Sequence, residues 1–77
     1  MAKRRISVTF PRELLYEPII YTISQEFNLM TNIYQADIDV AQNRSSMTLE
    51  IEGRSEDIEA GITWIISKGI RVDSAVD

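Results

Sequence analysis

Few side chains in this 77-residue chain could carry out chemistry, because the sequence contains neither cysteine nor histidine. Without cysteine there are no disulfides, thiolate metal sites or cysteine nucleophiles, and without histidine the commonest general base and metal ligand is missing. The remaining carboxylates suit only hard cations. We therefore expect no catalytic residue, no metal ion and no cofactor.

Two pairs of carboxylates come closest to a catalytic arrangement. Asp37 and Asp39 are two residues apart, as are Glu50 and Glu52, so each pair lies side by side on one face of a strand. Acid/base catalysis would require one member of a pair to be desolvated, and no neighbouring residue supplies this. The pattern favours a protective role, in which charge keeps an exposed strand edge from pairing with other chains.

Asn32 is the most informative polar residue, since Asn32-Ile33-Tyr34 stands at the entry of an alternating run that reaches Val40. A side-chain amide both donates and accepts hydrogen bonds, so it could fix the carboxylate or amine of a small ligand. Asparagine at a strand entry also commonly satisfies turn backbone. The residues alone leave both roles open.

A phosphate-binding hydrolase is poorly supported by the loop after the first strand. An acylphosphatase-type site needs a glycine-rich cradle and a fixed arginine. The run Phe10-Pro11-Arg12 offers the arginine without the glycines. Arg12 is better interpreted as a solvated loop cation.

The charge distribution argues against nucleic acid. The formal net charge is -4, and three of the eight basic residues are Lys3, Arg4 and Arg5, which we expect to form a solvated lead-in. Most of the surface would repel a polyanion. No apolar run approaches 18 residues and no signal peptide is evident, so we expect a cytoplasmic domain that does not insert into a membrane.

Periodicity predicts the elements that must position these residues. Residues 5 to 10 alternate and end at Pro11, and Pro18 begins an amphipathic helix of about eleven residues that stops at Asn28. A second helix, capped by Ser55, has a buried stripe formed by Ile58, Ile62, Ile65 and Ile66. The second strand places Tyr34, Ala36, Ile38 and Val40 on one side and Ile33, Gln35, Asp37 and Asp39 on the other. Further strands carry Met47, Leu49 and Ile51, and then Ile70 and Val72.

The predicted order, βαββαβ, is typical of an α+β, ferredoxin-like sandwich with a four-stranded, mostly antiparallel sheet and two helices on one face. Right-handed crossovers place the first and third strands in the middle and the second at an edge. We expect a lead-in over residues 1–4, one domain over 5–74 and a tail over 75–77. The sheet face opposite the helices would be open, with Ser7, Thr9, Ile33, Gln35, Asp37, Asp39, Thr48 and Glu50.

Two aromatic residues are predicted to be at least partly exposed on the helices. Tyr21 and Trp64 lie far from the centres of their apolar stripes on a helical wheel. Surface aromatics modestly favour a protein interface.

The chain resembles the NIL domain family, the regulatory domain found after the ATPase module of bacterial methionine ABC transporter subunits. The resemblance covers about residues 5 to 74 and rests on the order of Ile6-Ser7-Val8-Thr9-Phe10-Pro11, Glu17-Pro18-Ile19, Asn32-Ile33-Tyr34, Ala60-Gly61-Ile62-Thr63-Trp64 and Gly69-Ile70-Arg71-Val72. It implies the ferredoxin-like fold, a homodimer and methionine binding in which the motif asparagine, here Asn32, takes part. Tyr34 replaces the leucine of the family motif, and no ATPase module accompanies the 77 residues, so a free-standing domain is expected.

The leading hypothesis is therefore a non-enzymatic, homodimeric sensor of an amino acid such as methionine. Asn32 is its key contact, and the further residues expected at the ligand are Ile33, Tyr34, Phe10, Pro11 and Arg12. The alternative is a module without a ligand that docks on a protein partner, such as a transporter or enzyme subunit, through the second-strand edge and the surface at Trp64 and Tyr21.

Overall fold

The computed structural model describes residues 1–11 and 18–74 of the chain. Within them six elements follow one another in the order βαββαβ. Their bounds are β1 Ala2–Pro11, α1 Ile19–Glu26, β2 Met30–Asp39, β3 Arg44–Gly53, α2 Ser55–Ser67 and β4 Arg71–Ser74.

The four strands form one antiparallel sheet in the order β2-β3-β1-β4. The predicted ferredoxin-like fold is thus confirmed, with β1 and β3 in the centre and β2 at an edge. The alternating apolar residues of β1 and β3 meet the helix stripes in one core. Its buried members are Ile6, Val8, Phe10, Ile19, Ile23, Leu29, Leu49, Ile51, Ile58, Ile65 and Ile70.

Strand β1 begins at Ala2, earlier than the sequence pattern predicts. The basic triplet, expected as a solvated lead-in, consequently lies in the sheet. Arg4 pairs in register with Ile51, and its guanidinium lies 2.7 Å from a carboxylate oxygen of Glu59. Neighbouring Arg5 lies on the opposite face, in register with Glu50.

Helix α1 is shorter than the predicted eleven residues. It spans eight, with Pro18 as N-cap and Phe27 as C-cap. Asn28 follows with a φ of 55°, a left-handed conformation that asparagine tolerates better than most residues, so the predicted stop is confirmed.

Helix α2 begins differently from the prediction, since Ser55 is its first helical residue and Arg54 is the N-cap. Arg54 Nε donates to Asp57 Oδ2 at 3.0 Å. This hydrogen bond, followed by the charges of Asp57 and Glu56, raises the pKa of Arg54 above its ordinary value. The two carboxylates also lie in the first turn, where the helix dipole favours negative charge.

One residue of the predicted α2 stripe is misplaced. Ile66 is 54% exposed, whereas Ile58 and Ile65 are buried. The stripe centred on Ile58, Gly61 and Ile65 leaves Ile66 at its margin, about 100° further round the helix than Ile65.

Leu29, between α1 and β2, joins the two helices to the sheet. A Cβ built on Gly53 would lie 2.7 Å from one methyl of Leu29, and a Cβ on Gly61 would lie 2.8 Å from the other. The two glycines therefore make the space that Leu29 fills. No helix in the described residues is long and apolar enough to span a membrane.

Candidate functional site

A β-bulge at Tyr34 determines which side chains of β2 share a face. Ile33 is opposite Leu49 and Gln35 is opposite Thr48, so Tyr34 is an extra residue on β2. An added residue reverses the alternation beyond it. The prediction that Tyr34 shares a face with Ala36 and Ile38 is therefore wrong.

The bulge also corrects the position of Ile33. The sequence pattern placed it on the open face, with Gln35. The register instead sets Ile33 opposite buried Leu49, on the face that carries the helices. Asn32, one residue earlier, is exposed and lies opposite Glu50 on the open face. The two consecutive motif residues thus point to opposite sides of the sheet.

Tyr34 makes two contacts across the open face. The guanidinium carbon of Arg5 lies 4.3 Å from the centre of the Tyr34 ring, within the range of a cation–π interaction. The Tyr34 hydroxyl donates to Glu50 Oε2 at 3.3 Å. Because Asn32 pairs with Glu50, these contacts gather Asn32, Tyr34, Arg5 and Glu50 at one place. We call these four residues the open-face cluster.

Within one protomer, the other described residues expected at the ligand lie far from Asn32. Phe10 is buried in the core in register with Ser45, and Pro11 ends β1 in register with Arg44. Ser45 is five residues from Glu50, which corresponds to roughly 16 Å along β3 at 3.3 Å per residue. Arg12 lies outside the described residues. Phe10 and Pro11 therefore do not join Asn32 within one protomer.

Phe10 instead lines an apolar cavity of about 180 Å³ on the helix side of the sheet. The cavity is bounded by α1, α2 and the central strands, and Asn32 is not among its lining residues. Those described are Val8, Phe10, Pro18, Ile19, Ile20, Tyr21, Met47, Leu49, Ile65 and Ile70.

The two helix aromatics occupy different environments. Tyr21 is 66% exposed. Trp64 is half-buried, its ring centre 6.0 Å from that of Phe27, and the Lys68 ammonium lies 5.3 Å from the Trp64 ring centre. Both residues are at least partly exposed, as predicted, and their role at an interface stays a prediction.

The aspartate pair makes ordinary surface contacts. Asp37 Oδ2 accepts from Gln35 Nε2 at 2.9 Å, and Asp39 Oδ1 accepts from the Gln42 backbone N–H at 3.1 Å. Both aspartates are exposed on the edge strand. Within the described residues no group of three or more potential ligands could hold a metal ion.

The comparison with protein families decides what this domain is. A model of the NIL domain matches residues 4–74, nearly the whole chain. The chain belongs to the NIL domain family. No curated protein matches it. NIL domains are regulatory domains of ABC transporters, and the resemblance inferred from the sequence motifs is thereby confirmed.

Solved structures with the same fold are similar to this NIL domain. The C-terminal domain of an ABC transporter ATP-binding protein from Enterococcus faecalis superposes with a TM-score of 0.81 at 22% identity, covering 96% of this chain and 84% of that one. A formyltetrahydrofolate deformylase from Pseudomonas putida KT2440 gives a TM-score of 0.70 at 12% identity and 99% coverage of this chain. A prephenate dehydratase from Streptococcus mutans gives 0.64 at 13% identity and 94% coverage.

The extent of the matches differs among these structures. The NIL domain spans 29% of the deformylase chain and 40% of the dehydratase chain, so it corresponds to a minor part of each enzyme. At such low identity the likeness concerns the fold alone.

Arg5 is the member of the open-face cluster that no sequence motif of this NIL domain singled out, whereas Glu50 is expected on the open face as one of a pair of carboxylates. A signal for Arg5 was present, because it alternates out of phase with Ile6, Val8 and Phe10 and so shares a face with Ser7. Its proximity to Tyr34 depends on the bulge, which period-two alternation does not reveal.

Proposed function

We propose that this NIL domain is a non-enzymatic regulatory domain that binds an amino acid such as methionine, and that it works as a homodimer. The observation that carries the proposal is the position of Asn32. It is the motif asparagine of a family matched over residues 4–74, and its amide is exposed on the open face beside Glu50. An exposed amide can donate to a ligand carboxylate and accept from a ligand amine.

The absence of enzymatic activity is part of the same proposal. The chain lacks histidine and cysteine, and Asp37 and Asp39 are exposed on the edge strand. A regulatory domain needs only to bind its ligand and pass the effect to a partner. We propose that the partner is a transporter subunit at the cytoplasmic side of a membrane.

The homodimer is proposed to form through β2. Helix α1 reaches this strand at its start, where the hydroxyls of Ser24 and Thr31 lie 3.3 Å apart. Further along, Ile33 and Ile38 face the helix side of the sheet and are 51% and 70% exposed. We call Ile33, Ala36 and Ile38 the β2 apolar surface. Exposed apolar side chains along an unpaired edge favour addition of another strand.

The distribution of charge on β2 favours a second, antiparallel copy as the occupant of that edge. Asp37 and Asp39 are two of the last three residues of the strand, whereas residues 30–34 carry no charge. Antiparallel pairing of two β2 strands lays the acidic end of one copy beside the neutral end of the other. Parallel pairing would bring like charges together, which is destabilising.

A second candidate function is a protein-docking module without a ligand. Two observations favour it, namely the exposed β2 apolar surface and a groove between the helices of about 210 Å³. The described residues that line the groove are Pro18, Ile19, Thr22, Trp64 and Lys68.

A thermal-shift screen against amino acids distinguishes the two candidates. A ligand at 100 times its Kd stabilises the folded state by about 2.7 kcal/mol, which raises the Tm of so small a domain by roughly ten degrees or more. Asn32→Ala should abolish the shift, whereas Gln25→Ala, which removes an exposed amide on α1, should preserve it. If no amino acid near millimolar concentration raises the Tm, the ligand proposal is wrong and the docking module is favoured.

A further inference from the structure

Three polar side chains form a row across the open face of the sheet. Asn32 on β2 is in register with Glu50 on β3, and Glu50 is in register with Arg5 on β1. Residues in register on neighbouring antiparallel strands have Cα atoms about 4.5–5.5 Å apart and point to the same side. An amide, a carboxylate and a guanidinium thus stand next to one another in that order.

The opposite charges in this row are not paired with each other. Among the ion pairs of the described residues, none joins Arg5 to Glu50, although the two are directly opposite. Arg5 instead lies over the Tyr34 ring, and its Nε is buried with no hydrogen-bond partner in the described part of the chain. A buried donor without a partner carries a desolvation penalty, so the contact with Tyr34 leaves the hydrogen-bonding capacity of Arg5 incompletely used.

Glu50 also retains acceptor capacity. Its Oε2 accepts one hydrogen bond, from the Tyr34 hydroxyl. An ionised carboxylate offers about four acceptor positions on its two oxygens. Tyr34 therefore contacts both charged residues. Within the described residues it leaves the Arg5 Nε donor without an acceptor and uses only one of the acceptor positions of Glu50.

We infer that Arg5 and Glu50 recognise the two charged groups of a free α-amino acid, and the inference rests on the proposed function. The guanidinium of Arg5 binds the α-carboxylate, Glu50 binds the α-ammonium, and Asn32 contacts the ligand from the edge of the sheet. Arginine presents a planar set of donors that matches a carboxylate, and charge-assisted hydrogen bonds are roughly twice as strong as neutral ones. A zwitterion satisfies both protein charges at once.

The neighbouring rows are compatible with this assignment. On one side lie Gln35, Thr48 and Ser7, and the hydroxyls of Ser7 and Thr48 are 3.2 Å apart. These two short side chains leave space above the centre of the sheet. On the other side Glu52 and Lys3 are in register with each other, so these two opposite charges face one another in the next row.

The experiment is a calorimetric titration with three probes of the same side chain. L-methionine carries both charged groups, L-methioninol lacks the carboxylate, and N-acetyl-L-methionine lacks the ammonium. The wild-type domain should bind L-methionine at least tenfold more tightly than either analogue. Arg5→Gln should weaken L-methionine binding at least tenfold and remove its advantage over methioninol. Glu50→Gln should remove its advantage over N-acetyl-L-methionine.

Arg4→Gln and Glu52→Gln are the matched controls. Arg4 lies on the helix face and pairs with Glu59, while Glu52 is one row away from Glu50. Both control variants should keep the wild-type preferences, and circular dichroism should show that all four variants are folded. A variant that is merely less stable would not lose the preference for L-methionine over one analogue while keeping the preference over the other.

Two results would overturn the inference, and they differ in what they say of the proposed function. If L-methionine binds the wild type, Arg5→Gln and Glu50→Gln equally, the inference is wrong and the sensor proposal survives. If the wild type binds neither L-methionine nor any other amino acid, both are wrong. If Arg5→Gln and Glu50→Gln weaken the binding of all three probes by the same factor, the inference is also wrong, because the two residues then have only a structural role.

Discussion

The guanidinium of Arg5 lies over the ring of Tyr34, and this contact joins the central strand β1 to the edge strand β2 across the intervening β3. Tyr34→Phe keeps the ring and removes only the exposed hydrogen bond to Glu50, so the free energy of unfolding should change by less than about 0.5 kcal/mol. Tyr34→Leu also removes the cation–π contact and should cost about 0.5–1 kcal/mol. Urea denaturation measures both. Equal stability of the two variants would show that the stacked guanidinium contributes nothing.

Gly61→Ala tests the space that Leu29 occupies. The added methyl would come 2.8 Å from a Leu29 methyl, and such overpacking costs about 1–3 kcal/mol, more than the gain of up to about 1 kcal/mol in helix propensity. In a Leu29→Ala background the space is free, so the same substitution should become stabilising. A double-mutant cycle measured by denaturation should therefore show coupling of at least about 1 kcal/mol.

Gly69→Ala is the control for that cycle. A Cβ at Gly69 meets nothing within 4 Å, but its φ of +86° disfavours any other residue. Gly69→Ala should destabilise the wild type and the Leu29→Ala variant by the same amount, about 1 kcal/mol. If Gly61→Ala behaves in the same additive way, Leu29 is not confined by Gly61.

Ser45→Ala should stabilise the domain. Ser45 is 4% exposed and is in register with Phe10, and its hydroxyl oxygen has no hydrogen-bond partner in the described ranges. Removing an unsatisfied buried hydroxyl should raise the free energy of unfolding by about 1 kcal/mol. Ser46→Ala, at the exposed neighbouring position, should change it little. A loss of stability in the Ser45 variant would reveal a partner for the hydroxyl.

Ile38→Lys tests the proposed homodimer. A lysine in the β2 apolar surface would place a charge in the dimer contact, so the mass measured by light scattering should fall from that of two chains to that of one. Ile66→Lys, at an exposed position on α2, should leave the mass unchanged. If the wild type already has the mass of one chain at millimolar concentration, a homodimer through β2 is wrong.

The fold could be predicted because its signals are local and periodic. Ile6, Val8 and Phe10 alternate strictly, and all three are buried in the core. A change of strand register leaves no periodic signal in the sequence. The bulge at Tyr34 results from pairing with β3, and strict alternation therefore placed Ile33 and Tyr34 on the wrong faces. Leu29 escaped prediction because it lies between two elements, where no period applies.

The open-face cluster was only partly predictable for the same reason, since alternation places Glu50 on the open face but not Tyr34. Asn32 and Tyr34 stand in one motif and could be recognised in the sequence. Arg5 and Glu50 come from other strands, 45 positions apart, and reach the motif only through two strand registers and one bulge. Arg5 was also assigned to a basic triplet whose composition suggested a solvated segment, whereas β1 includes all three residues.

The two edges of the sheet differ in length, and this difference limits how many chains can assemble. Strand β2 offers ten residues, while β4 at the other edge has four in the described part of the chain. Two copies joined through β2 by a two-fold axis consume both long edges and leave only β4 outside. Among the residues that the structure describes, such a particle has no comparable edge left for a third chain. The arrangement would give a closed dimer of fixed stoichiometry, in contrast to a fibre that grows from every exposed strand.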